Sequence, residues 1–177
     1  EQVKNQSRAM VKVPSSGLCF WVSAGIGKTT DSDGKLLLWK DQSGNTHDVT
    51  QVDSERRPIY VEKAIGGKPA MRFSGKKDFL KIKGQVIQGQ EFTVFAVASD
   101  RSSSEEHREI ISNWNGRAGN STSSLFLGLT GKEKVRFSDD FSSDNKIIGA
   151  LSDPFLLSAS SGRLGSQINF NGQTLAD

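Results

Sequence analysis

The sequence predicts an all-β fold built as a two-sheet antiparallel sandwich. Two observations carry that reading. Short apolar runs of strand length recur along the chain, separated by Gly, Ser, Asn and Asp. No segment shows apolar residues at the i, i+3, i+4, i+7 spacing of an amphipathic helix. Composition fits a folded globular chain: 34% of the 177 residues are apolar, 24% are charged, and 18 are glycine.

About eleven strands are expected in order. They are Leu18-Cys19-Phe20-Trp21-Val22, Leu36-Leu37-Leu38-Trp39, Ile59-Tyr60-Val61, Ala70-Met71-Arg72-Phe73 and Phe79-Leu80-Lys81-Ile82. Phe92 to Ala98 follows, then Ile110 to Trp114, Leu125 to Leu129, Val135-Arg136-Phe137, Phe155 to Ala159 and Ile168-Asn169-Phe170. Phe92 to Ala98 is apolar at odd and even positions alike, which suits a central strand covered on both faces. Asp41-Gln42-Ser43-Gly44-Asn45 is a turn, because Asp accepts from the backbone two residues on and Gly supplies positive φ. Asn171-Gly172 is the strongest short hairpin signal, and a return strand is expected from Gln173. Only five residues, Gln173 to Asp177, are available to that strand, so the sequence predicts that further closing strands lie outside this chain. No composition break divides the chain. A polar lead-in is expected over 1–14 and one domain over 15–177.

Charge narrows the function classes. Lys and Arg number 23 and Asp and Glu 20, a net charge of +3. The cationic pairs are scattered, with no run of five or six like charges, so no nucleic-acid partner is expected. No apolar run approaches the ~20 residues of a membrane-spanning helix, so no membrane insertion is expected either. One cysteine, Cys19, rules out a disulfide scaffold, and its place beside Phe20 and Trp21 suggests burial. Two sequons occur, at Asn5 and Asn120, in a chain rich enough in Ser and Asn for chance matches.

Four constellations could carry chemistry. Gly25-Ile26-Gly27-Lys28-Thr29-Thr30 resembles a phosphate-binding loop, but Val22 stands where the motif needs Gly, and a turn follows where it needs a helix. A plain loop is the better reading. Glu105, His107 and Glu109 lie at i, i+2, i+4 and would share one face of a strand. Retaining β-glucanases use E-x-D-x-E in this way, with two carboxyls about 5–5.5 Å apart. Here His107 replaces the middle Asp, and the segment follows Ser102-Ser103-Ser104, so a polar loop tip competes with a catalytic Glu105/Glu109 pair. Asp139, Asp140 and Asp144, or Asp31 with Asp33, could supply oxygen ligands to Ca²⁺, or be solvated turns. Trp114 sits in Asn113-Trp114-Asn115-Gly116-Arg117, where a strand runs into a polar loop. It is either a half-buried strand-end residue or, with Asn113, Asn115 and Arg117, a sugar-stacking site.

The order of these motifs resembles the laminin G-like domain of the concanavalin A-like lectin/glucanase superfamily, in its bacterial secreted form. The resemblance is carried by Gly17 to Ala24, Leu38 to Asn45, Arg57 to Val61, Ile65 to Gly75, Asp78-Phe79-Leu80 and Phe92 to Val97. It implies a jelly-roll sandwich in which Trp21, Trp39, Phe73 and Leu80 fill the core. It also implies further strands after the Asn-Gly hairpin. For function it implies a non-catalytic binding module of a larger extracellular, periplasmic or cell-surface protein, with carbohydrate as the first expected partner. The alternatives it leaves are a glycoside hydrolase of the same fold and an adhesion module that binds a protein surface. No cofactor is implied beyond Ca²⁺ as the alternative at the acidic cluster. Function inferred from fold is analogy, and the residues that match are mostly structural.

Overall fold

The structure is a computed structural model. It describes residues 13–87, 89, 91–102, 106–113, 126–131, 134–137, 141–142 and 150–176. Among these residues the chain is all-β, with one short 3₁₀ turn at Ser54–Arg56. The strands are β1 (Lys28–Thr30), β2 (Leu36–Trp39), β3 (Val49–Thr50), β4 (Ile59–Ile65), β5 (Lys68–Arg72), β6 (Lys81–Ile82) and β7 (Phe92–Ala98). They continue as β8 (Arg108–Ser112), β9 (Phe126–Thr130), β10 (Lys134–Phe137), β11 (Phe141–Ser142), β12 (Phe155–Gly162), β13 (Gly165–Phe170) and β14 (Gln173–Ala176). Every recorded pairing is antiparallel.

Two four-stranded sheets, β11-β10-β9-β8 and β14-β13-β12-β7, form the layers of a sandwich. The core lies between them. Leu127, Leu129, Val135 and Phe137 from one sheet meet Phe155, Leu157, Ala159, Ile168 and Leu175 from the other, each 9% exposed or less. Alternation explains this: along β12, Phe155, Leu157 and Ala159 face inward while Leu156 faces solvent. Phe92 of β7 meets Phe137 of β10 edge to face at 6.0 Å. The earlier strands form a third four-stranded sheet, β1-β2-β3-β6, beside the β4-β5 hairpin. Leu36 and Val49 are buried in it, and Pro58, just before β4, is buried beside Leu36, whose N–H donates to the Pro58 carbonyl. Gln51, 4% exposed, is satisfied on both amide atoms: Nε2 donates to the Phe79 carbonyl and Oε1 accepts from the Asp53 N–H.

Turn chemistry matches the sequence reading. Asn171 and Gly172 both hold positive φ, 50° and 82°, and join β13 to β14. Asn171 Oδ1 also accepts from the Leu156 N–H. The Asp41 carboxylate organises the other turn. It accepts from the Ser43 N–H and hydroxyl, the Trp21 N–H and the His47 N–H. Asn45 Nδ2 donates to the carbonyls of Leu18 and Cys19. The segment around Trp21 is thereby tied to the turn by side chains.

Those bonds explain one correction. Residues 18–22 form no strand; the apolar run is held in irregular conformation by Asp41 and Asn45. Cys19 is exposed rather than buried. Of the expected core residues, Trp21, Trp39 and Leu80 are half-buried, and Phe73 is 46% exposed. β7 is corrected as well. It lies at the edge of its sheet, and its residues alternate between half-buried and exposed, with Phe95 at 70% and Val97 at 66%. The strand covered on both faces is β9. Its outward Phe126 lies under His107 and Arg136.

Candidate functional site

The sandwich sheet β14-β13-β12-β7 turns one face to the core and the other to solvent. Pairing register decides what that outer face carries. Ser158 lies opposite Asn169 on one side and Phe95 on the other, and Asn169 lies opposite Thr174. One row across all four strands therefore reads Thr174, Asn169, Ser158, Phe95. The next row reads Gln167, Ser160, Thr93. On the other side Leu156 lies opposite Val97. The face thus grades from an apolar corner at Phe95, Val97 and Leu156 to a field of hydroxyls and amides.

The amides are held in place. Thr174 Oγ1 donates to Asn169 Oδ1 at 2.9 Å, and Asn169 Nδ2 donates to Gln167 Oε1 at 3.2 Å. This chain fixes both amide orientations. The second row runs into an open hollow of about 890 Å³, lined in part by Glu91, Thr93, Ser160, Arg163 and Leu164.

A rigid cross-layer contact supports the face. Asp100, just after β7, pairs with Arg108 of β8 at 2.6 Å, and both side chains are about 85% buried. Arg108 also donates to the carbonyls of Glu106 and Gly131. The Asp100 N–H donates to the Leu151 carbonyl. The ion pair ties the end of β7 to the opposite sheet.

The residues singled out from sequence fare differently. Asn113 is exposed just beyond β8; Trp114, Asn115 and Arg117 lie outside the described residues. Glu109 is exposed on β8 and accepts from the Ser112 hydroxyl at 2.8 Å. Glu105 lies outside the described residues, and β8 begins only at Arg108. His107 therefore precedes the strand that carries Glu109. Asp139, Asp140 and Asp144 also lie outside the described residues. Asp31 is a turn residue: Oδ1 accepts from the Asp33 and Lys35 N–H groups, and Oδ2 pairs with Arg57. The loop at Gly25 to Gly27 leads into β1, not into a helix. A second cleft, about 330 Å³, lies among Lys35, Glu55, Arg57, Lys76, Lys77 and Asp78. Glu55 there contacts both Lys35 and Lys77. The hydrogen bond and charge of Lys77, helped by Lys35, hold its carboxyl below the usual range.

Sequence reasoning did not find the outer face. Its signal was present as Thr93-x-Phe95, Ser158-x-Ser160 and Gln167-x-Asn169, three alternations on separate strands. Nothing local aligns them; the register does. No family model, curated protein sequence or solved structure matches this chain. Among the described residues no helix is long and apolar enough to cross a membrane.

Proposed function

We propose that the chain is a non-catalytic carbohydrate-binding module of a larger extracellular, periplasmic or cell-surface protein, on a jelly-roll scaffold of the laminin G-like kind. The observation that supports it is the row Thr174, Asn169, Ser158 and Phe95 across one exposed sheet face. A sugar ring has an apolar C–H face and a rim of hydroxyls. Phe95, 70% exposed, offers an aromatic surface to the former, and the amides and hydroxyls beside it match the latter. These groups stand on paired strands, so little ordering entropy is lost on binding. The site expected at Asn113, Trp114, Asn115 and Arg117 stands as a second proposal.

A glycan array and affinity electrophoresis on polysaccharide gels test this. The expected result is retardation by at least one polysaccharide, reduced in Phe95→Ser and kept in Trp114→Ala. No binding to any glycan overturns the carbohydrate reading. Loss in Trp114→Ala alone moves the site to the 113–117 segment. Reducing-sugar release from a β-glucan, abolished by Glu105→Gln or Glu109→Gln, would establish a hydrolase instead.

A further inference from the structure

Among the described residues, β7 ends its sheet with an unprotected edge. Edge strands are ordinarily protected by charge, proline, bulges or a covering segment, because their unpaired N–H and C=O groups template association. β7 reads Phe-Thr-Val-Phe-Ala-Val-Ala: seven residues with no charge and no proline, pairing with β12 in continuous register. Among the described residues it has no neighbour on its other side. Its outward side chains Phe95 and Val97, together with Leu156, form the apolar corner of the outer face.

We propose that a second copy of this chain occupies that edge, with the two β7 strands pairing antiparallel about a twofold axis at Phe95. The side-chain sequence suits this partner. In a register centred on Phe95, Phe92 faces Ala98 and Val94 faces Ala96, so large meets small on the core-side face, while on the outer face the β-branched Thr93 and Val97 face each other. Phe95 faces its own counterpart, the close cross-strand placement in which aromatic pairs contribute most. Charge agrees. Antiparallel pairing brings the start of one strand to the end of the other, and Glu91 precedes β7 while Arg101 follows it, both exposed. In this register Glu91 faces Ser99, with the partner copy's Arg101 two residues further on, so each symmetric end sets an acidic residue diagonal to a basic one. Pairing would merge the two four-stranded sheets into one continuous layer, with the two outer faces side by side. An interface of one strand edge and one apolar corner lies at the small end of protein contacts, so the dimer is weak and concentration-dependent. The proposal does not depend on the glycan reading, because its test contains no ligand.

Sedimentation velocity of the full chain over a concentration series gives the mass. The expected result is a rise from 19.2 kDa toward twice that value, and a single-copy mass for Phe95→Lys, which sets two like charges opposite each other. Position 95 is exposed, so the variant should keep the far-UV spectrum of the parent. In a Cys19→Ser background, Phe95→Cys should oxidise to a disulfide-linked dimer at concentrations where Leu164→Cys, on the exposed β12-β13 turn, does not. A single-copy mass at every concentration overturns the proposal. So does a dimer that Phe95→Lys leaves intact, or equal cross-linking at positions 95 and 164. Such a dimer would use another surface.

Discussion

Arg108→Met tests how the two layers are held. Arg108 and Asp100 pair at 2.6 Å, with side chains 16% and 14% exposed. The substitution removes the charge partner of Asp100 and leaves that carboxylate accepting from the Ser102 N–H. It also deprives the carbonyls of Glu106 and Gly131 of their guanidinium donors. Breaking a buried pair by removing one partner costs about 3–5 kcal/mol. Glu106 is exposed and its carbonyl can recover water, so the low end applies, about 3 kcal/mol. Asp100→Asn keeps an acceptor and loses only the charge, about 1.5–2 kcal/mol. The two groups act as one unit, so the double variant should fall short of the sum by at least about 1 kcal/mol. Urea unfolding followed by tryptophan fluorescence gives all four stabilities. If each single change costs less than about 0.5 kcal/mol and the two add, the pair is solvated and does not fasten the layers.

Three further outcomes follow from particular residues. Gly128 on β9 lies against the β8 bulge, where a Cβ would collide with the Arg108 carbonyl and sit 3.0 Å from the Glu109 Cα. Both are backbone and cannot swing aside, so Gly128→Ala should lower stability by about 1–3 kcal/mol, read from the urea midpoint. Burial pushes the Asp41 carboxyl up, but the hydrogen bonds from Ser43, Trp21 and His47 outweigh it and hold the group below its ordinary value. A carboxylate depressed in the folded state binds fewer protons than in the unfolded chain. Its contribution is therefore complete above about pH 4 and is lost as pH falls through the folded value. Asp41→Asn should thus be less stable than the parent at neutral pH by about 1–2 kcal/mol, with the gap narrowing below about pH 4. A constant gap would contradict this. Cys19 is exposed, so one thiol per chain should react with a disulfide reagent in the folded protein without denaturant. Reaction only after unfolding would place it inside.

Local chemistry made much of the fold legible. The Asn171-Gly172 hairpin follows from two residues that tolerate positive φ, and the Asp41 turn from a side chain that bonds two residues ahead. The strands at Leu36, Ile59, Phe92, Phe155 and Ile168 follow from apolar runs with turn residues around them. β1 and β3 escaped because three-residue and two-residue strands carry no periodicity. β7 misled for a physical reason. Apolar residues on both faces usually mean cover on both faces, but cover depends on which strand lies alongside, and topology decides that. The run at 18–22 misled because its backbone is satisfied by Asp41 and Asn45 rather than by a neighbouring strand. The outer face was invisible because its residues come from four strands spread between Thr93 and Thr174. Only the register Asn169–Ser158–Phe95 makes them neighbours.

Calorimetric titration of a polysaccharide selected on the array, into the parent and into Phe95→Ser, Asn169→Ala and Trp114→Ala, puts the outer face to the test. Loss of one aromatic or amide contact from a small site is expected to weaken binding about tenfold, equivalent to 1.4 kcal/mol. Phe95→Ser and Asn169→Ala should each show that loss, while Trp114→Ala binds as the parent does. Unchanged affinity in both outer-face variants would show that the row Thr174, Asn169, Ser158 and Phe95 does not bind sugar.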